Sequence, residues 1–331
     1  MEINFEIIRS TGVITLNRPQ ALNALNIEMA EQFSETLNKW SKDKNIKRVL
    51  LKGEGKHFCA GGDVKKVYLA GNKSDLKKNF FSTEYKLNYE IYNFPKPYMS
   101  IWKGVVMGGG VGLSIYGDYK IVTDTTKFAM PETAIGFFPD VGGSYFLSRL
   151  KNNIGLFLGL TGYILNTDEI LSLQLGTHYC PVEELDNLID EYISKGSIKN
   201  FSKTPLDNSS VLVNTNLISE CFNGNMQNIL NNIKNSSLND KLYQNITNKC
   251  PMSLFVTNEL IRRGRNKSLK ECLEMEFNLS QKMVYRNDFS QGIDAVLISK
   301  HHQPEWDPKS LQNIDLDEVE GYFKENNNKL F

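Results

Sequence analysis

Three observations in the 331-residue sequence predict an α/β fold followed by a helical C-terminal region. Strand-like runs alternate with glycine-led helices through the first half. The order strand, glycine turn, helix occurs twice, about 45 residues apart. Beyond a polar stretch near residues 194–210, the periodicity becomes helical. Strands alternating with helices place ligands at strand ends in α/β folds.

The elements follow in order. "FEII-RSTG-VITLN" alternates and turns like a hairpin, with Gly12 expected at the turn. "NIEMAEQFSETLNKWSKD" carries Phe33, Leu37 and Trp40 at helical spacing, with Asn26 as N-cap. "RVLLKG" (48–53) reads as a strand running into "EGKHFCAGGDVKKVY", a glycine turn that opens a helix. A helix is expected through "FFSTEYKLNYEIY". The pattern then returns as "PYMSIW" (97–102), "KGVVMGGGVGLSIYG" and the strand "DYKIVTD" (118–124). "SKGSIKNFSKTPLDNSS" suggests a boundary, giving a core of 1–203 and a helical domain of 204–331. In the latter, "VTNELIRRG", "SLKECLEMEFNLSQKMV" and "DEVEGYFKEN" read as helices.

Lys+Arg and Asp+Glu both total 38, so no global field favours nucleic acid or an anionic membrane as partner. The longest uncharged apolar run, 104–117, is too short to span a bilayer. Five scattered cysteines without CxxC spacing favour free thiols over disulfides or zinc. The first residues read as strand rather than signal or transit peptide, which points to a cytosolic or peroxisomal protein.

Two features carry chemistry. Gly61-Gly62 and Gly108-Gly109-Gly110 each precede a helix, where backbone N–H groups lack partners and could stabilise an oxyanion. Close helix–sheet packing explains either run alone equally well. Neither matches a phosphate loop or a dinucleotide fingerprint. The segment "MPETAIGFFPDVGG" (130–143) sets Glu132 and Asp140 in apolar surroundings, where acids are paired, hydrogen-bonded or used. Their bland alternative is a helix cap or a buried acceptor.

"FCAGGD" (58–63), "MGGGVGLS" (107–114) and "MPETAIGFFPDVGGSYFLSRL" (130–150) resemble the enoyl-CoA hydratase/isomerase (crotonase) superfamily. The likeness continues through "FLGLTGYIL" (157–165), "GTHYCP" (176–181), "MSLFVTNELIRRG" (252–264) and "DFSQGIDAVLISKHHQPEWDP" (288–308). It implies a spiral of ββα units followed by helices. It also implies that the N–H groups of Gly62 and Gly109 hold a thioester carbonyl. Hydratases of the superfamily usually carry one Glu three residues after the middle glycine, where this chain has Gly112, and another at the place of Glu132. A small residue usually stands where this chain has Asp140. Lacking the first acid and gaining Asp140 is the pattern of a hydrolase subgroup acting on short hydroxyacyl-CoA thioesters, 3-hydroxyisobutyryl-CoA above all, in valine breakdown.

The resemblance makes Glu132 and Asp140 catalytic and maps a substrate-binding acid onto Glu84, which spacing alone reads as a solvated helix residue. It marks Ala60 and Lys300 as contacts to CoA. It implies no cofactor, since CoA is part of the substrate, and it suggests a homo-oligomer and, by analogy, mitochondria. Two alternatives stand beside this reading. A hydratase or isomerase is disfavoured by Gly112. A non-catalytic ribosome-associated paralogue is disfavoured by neutral charge and by retention of Glu84, Glu132 and Asp140. The subgroup commonly reads "EGVRA" where this chain has "QGIDA" (291–295), and "KD" where it has Lys300-His301. Cys59 near His57 reads as a structural thiol, His301-His302 as no metal site, and Trp306 as a packing anchor.

Overall fold

The computed structural model describes residues 1–198, 214–236, 239–324 and 329–331. The domain boundary expected between residues 203 and 204 lies outside the described residues. The chain forms two compact units, each drawn from three segments. One comprises Met1–Gly62, Lys86–Ala129 and Ile164–Val213; the other comprises Asp63–Tyr85, Met130–Tyr163 and Asn214–Phe331.

The first unit is built on a sheet. Its strands are β1 (Ile3–Ile8), β2 (Thr11–Leu16), β3 (Arg48–Gly53), β4 (Tyr98–Trp102), β5 (Val105–Met107), β6 (Tyr119–Val122), β7 (Lys127–Ala129) and β8 (His178–Tyr179). Six of them run in the order β1-β2-β3-β4-β6-β8, and β5 pairs with β7 separately. Among these strands β1–β2 pairs antiparallel, and the other strand pairs of the described residues are parallel. β2 and β4 are buried along their whole length, as strands covered on both faces are. Val13, Leu50, Met99 and Ile121 form a core with Leu188 and Tyr192 of the helix Leu185–Lys195.

The hairpin forms, but its turn is not at Gly12. Register sets Gly12 opposite Ile7, and Arg9, at φ 57°, makes the reversal with Ser10. Gly12 serves packing instead: a Cβ there would lie 2.4 Å from the Trp40 ring. Trp40 ends the buried stripe of the helix Ile27–Lys42, which also includes Phe33 and Leu37. The Asn26 side chain caps this helix by accepting from the Met29 N–H at 2.8 Å.

The second unit is helical. It includes the helices Val64–Leu69, Ile154–Thr161, Pro251–Gly264, Leu269–Met283, Asn287–Ile293 and Leu316–Tyr322. Ser268 and Glu271 close a capping box on Leu269–Met283. Buried Asp288 anchors the C-terminal part, with Oδ2 2.8 Å from Arg286 Nε and Oδ1 accepting from the Asp307 N–H at 2.7 Å. Among the described residues, no helix is long and apolar enough to cross a membrane.

Candidate active site

In the sheet unit, strand register brings the two glycine runs side by side. Cys59 bridges Val106 in parallel. Its N–H donates to Val105 O at 3.1 Å, and its carbonyl accepts from the Met107 N–H at 3.0 Å. The chain then continues past Gly61, at φ 126°, where a Cβ would stand 3.6 Å from Met107 O and 3.8 Å from Gly109 N. A Cβ on Gly110 would come within 2.5 Å of Cys59 O, so only glycine permits this approach. Gly109 opens the short helix Gly109–Gly112, so its N–H has no partner within the helix. Neither the Gly62 nor the Gly109 N–H finds an acceptor among the described residues. Two unsatisfied donors this close to one turn suit a developing oxyanion.

In the helical unit, acids gather. Glu84, on the helix Leu76–Tyr92, is buried rather than solvated. Glu132 begins the 3₁₀ turn Glu132–Ile135, and both it and Asp140 are 6 % exposed. Glu84 Oε1 and Glu132 Oε2 have no hydrogen-bond partner among the described residues. Asp140 Oδ2 accepts from the Tyr85 hydroxyl at 2.8 Å. Burial, followed by repulsion from Asp140, pushes Glu84 and Glu132 well above the usual carboxylate range. Burial also raises Asp140, to about 7, opposed by the Tyr85 hydroxyl and its own backbone amide. Three buried acids in mutual repulsion cannot all ionise near neutrality, and Asp140 is the one whose charge a side-chain donor, the Tyr85 hydroxyl, would stabilise. Phe81, Phe137 and Phe138 stack nearby, with centroids 5.2 and 4.3 Å apart, and supply the apolar medium.

The turn after Asp140 is under strain. Val141 has φ 51° and Gly142 φ 82°, and a β-branched residue in the left-handed region costs about 1–3 kcal/mol. Glu276 of the helix Leu269–Met283 holds the turn from behind. Its carboxylate accepts from Gly142 N at 2.6 Å, Ser144 N at 2.9 Å and Ser144 Oγ at 2.5 Å. Burial lifts Glu276 to about 8 against these donors.

Tyr85, Glu276 and Asn88 were not anticipated from sequence. Asn88, one turn beyond Glu84 on the same helix, is buried with both amide atoms unmatched among the described residues. Glu276 left a readable signal: it falls on the buried stripe 269, 272, 273, 276, 277, 280, 283 of its helix. An acid on such a stripe has a partner or a use.

Ala60 is half-buried and donates its N–H to Leu22 O, while Lys300 is exposed with φ 55°. Cys59 is buried with its thiol 3.5 Å from Gly61 O, and His57 Nδ1 accepts from the Val105 N–H at 3.2 Å, so both serve the turn. All five cysteines are buried thiols. Trp306 is buried, its indole N–H 3.4 Å from Asn248 O. No metal-binding group of His, Cys, Asp or Glu occurs among the described residues. A cavity of about 270 Å³, lined by Leu147, Asn153, Leu156, Asn223, Ile261 and Arg262 among others, borders none of the acids.

Comparisons with known proteins identify the chain's relatives. The chain matches the enoyl-CoA hydratase/isomerase family over residues 11–323. A mitochondrial 3-hydroxyisobutyryl-CoA hydrolase from Xenopus laevis is 40% identical over 330 residues, 94% of this chain and 86% of that protein. The like-named human protein is 38% identical over 341 residues, 98% of this chain and 88% of its own length. Among solved structures, a carnitinyl-CoA dehydratase from Mycobacterium thermoresistibile superposes with TM-score 0.94 at 34% identity, covering 100% of this chain and 98% of that one. An enoyl-CoA hydratase from Rhodobacter sphaeroides gives 0.92 at 30% identity, covering 98% and 97%. Glycine-gated amides, buried acids and a match spanning nearly the whole chain converge, and the protein belongs to the enoyl-CoA hydratase/isomerase family.

Proposed function

We propose that this enzyme hydrolyses the thioester of a short hydroxyacyl-CoA, 3-hydroxyisobutyryl-CoA above all, to the free hydroxy acid and CoA. The observation that carries the reading is the pairing of buried Glu132 with buried, Tyr85-held Asp140 in a chain that has Gly112 where hydratases keep an acid. Hydrolase relatives 37–40% identical over about 95% of the chain support it. The solved structures of a dehydratase and a hydratase are of lower identity, 34% and 30%, and Gly112 offers no second acid or base for adding water to a double bond.

In this proposal the reaction runs on the chain's own groups and one water. The Gly62 and Gly109 N–H groups take the thioester oxygen as it becomes anionic, each worth on the order of 3 kcal/mol in the transition state. At rest the cluster's negative charge sits on Asp140 and the proton on Glu132. Passing that proton to Asp140 frees Glu132 to deliver the attacking oxygen, either its own carboxylate oxygen or that of a water it deprotonates. The new C–O bond forms and the C–S bond breaks. The departing thiolate takes the proton held on Asp140. On the water route this restores the resting state with Glu132 protonated; on the carboxylate route a water then splits the Glu132 anhydride, its hydroxyl completing the hydroxy acid and its proton returning to Glu132. Glu84 and Asn88 remain to orient polar groups of the substrate. Ala60 and Lys300 are assigned to CoA, and no cofactor enters the balance. A homo-oligomer and the mitochondrial compartment named for the relatives complete the proposal.

Free-thiol release across a panel of short acyl- and hydroxyacyl-CoA thioesters tests the reading. Release from 3-hydroxyisobutyryl-CoA at the highest kcat/KM is expected. Hydration of crotonyl-CoA without thiol release would overturn it in favour of a hydratase.

A further inference from the structure

Of Glu84, Glu132 and Asp140, Asp140 is the one with a side-chain donor among the described residues. The groups facing it are Glu84 and Tyr85 from the helix Leu76–Tyr92, Glu132 from the turn Glu132–Ile135, and Glu276 from the helix Leu269–Met283. Three of these four are acids, and none is offset by a Lys, Arg or His among the described residues. The Tyr85 hydroxyl is the side-chain donor that distinguishes Asp140 from Glu132 among the described residues. It is buried, it donates at 2.8 Å, and its ring is fixed against Phe81 at a centroid distance of 5.9 Å. A hydrogen bond to a charged acceptor in a dry site is roughly twice as strong as a neutral one.

We propose that Tyr85 is a positioning residue of the hydrolase site: its hydroxyl holds the Asp140 carboxylate by Oδ2 and makes Asp140, rather than Glu132 or Glu84, the acid that carries the cluster's charge. This rests on the hydrolase reading for its kinetic consequence, but its electrostatic consequence is independent of any substrate. With the hydroxyl in place, the resting proton lies on Glu132, and the cycle begins by a transfer to an acceptor already held ready. Without it, the charge spreads over three similar acids, and the productive protonation state becomes a minor one. The burial-raised Tyr85 phenol stays protonated and available as a donor throughout the working pH range.

The test is Tyr85→Phe, which deletes one oxygen and keeps the ring. The side-chain carboxyls are followed by carbon-13 NMR in ligand-free protein labelled at aspartate, with Asp140 assigned from the spectrum of Asp140→Asn. The Asp140 midpoint, about 7 in the parent, is expected to rise by about one pH unit. The limb of kcat/KM that climbs with pH should move up equally, so that the loss is about tenfold at pH 6 and shrinks as pH rises. KM should hold. Incorporation of 3-fluorotyrosine at position 85, a stronger donor, should move the midpoint the other way, and it supplies the test should Tyr85→Phe fail to fold. An unmoved midpoint, or a uniform loss at every pH with no shift, would overturn the proposal and leave Tyr85 a packing residue. If the parent released no CoA from any thioester, the hydrolase reading would fall while the NMR midpoint still decided the role of Tyr85.

Discussion

The sheet unit and the helical unit supply chemistry by opposite means. In the sheet unit the candidate groups are backbone N–H donors of Gly62 and Gly109, set by the Cys59–Val106 bridge and by the close approach of Gly110 to Cys59. In the helical unit they are side chains: Glu84, Glu132 and Asp140, tuned by burial, by one another and by Tyr85. Backbone donors cannot be exchanged by ordinary substitution, whereas buried acids can be added or lost one at a time. One family can therefore keep its amides and change its reaction, and on the proposed reading Gly112 and Asp140 are the positions that set this chain's chemistry.

The largest effect expected from breaking this contrast is on the acid side. Asp140→Asn keeps shape but removes the proton acceptor, and kcat should fall by about 10²–10⁴-fold with circular dichroism unchanged. Next comes the amide side. Gly109→Pro deletes one N–H at the first position of a helix, where proline is tolerated. A loss of about 10²–10³ in kcat is expected in thiol-release assays, with KM little affected. Full activity in that variant would remove Gly109 from the oxyanion site.

A smaller effect concerns stability rather than turnover. Glu276 is raised from 4.5 to about 8, so the folded state binds a proton that the unfolded state gives up. Its contribution is fully present below pH 4.5 and is lost as pH rises through about 8. Urea midpoints measured from pH 5 to pH 8 should therefore decline less steeply in Glu276→Gln than in the parent. The same variant should be less stable overall, because an amide cannot accept all three hydrogen bonds of the Gly142–Ser144 turn.

The fold was legible where local pattern decides it. β3, β4 and β6, the Asn26 cap and the C-terminal helices follow from periodicity and capping chemistry. Gly12 was misplaced because its reason, contact with Trp40, lies 28 residues away and leaves no local mark. In the site, residue types were legible and environments were not. Glu84 looks like any solvated helix residue until its helix is packed, and the tie between Tyr85 and Asp140 spans 55 residues. Two departures from the subgroup's pattern also become one. Asp294 Oδ2 lies 3.7 Å from His301 Nε2, so the two positions that depart from the subgroup's pattern meet as one exposed Asp–His contact. Such exposed pairs contribute little, on the order of 0–1 kcal/mol, so this contact bears on the surface rather than on the reaction.

Single-turnover mixing of 3-hydroxyisobutyryl-CoA with the parent and with Glu132→Gln, following free CoA, tests the central claim most directly. The expected result is rapid release by the parent, and from the variant binding of the same affinity with release slowed by at least about a hundredfold. Release by folded Glu132→Gln at the parental rate would contradict the assignment of the attacking oxygen to Glu132 and, with it, the acid-pair mechanism.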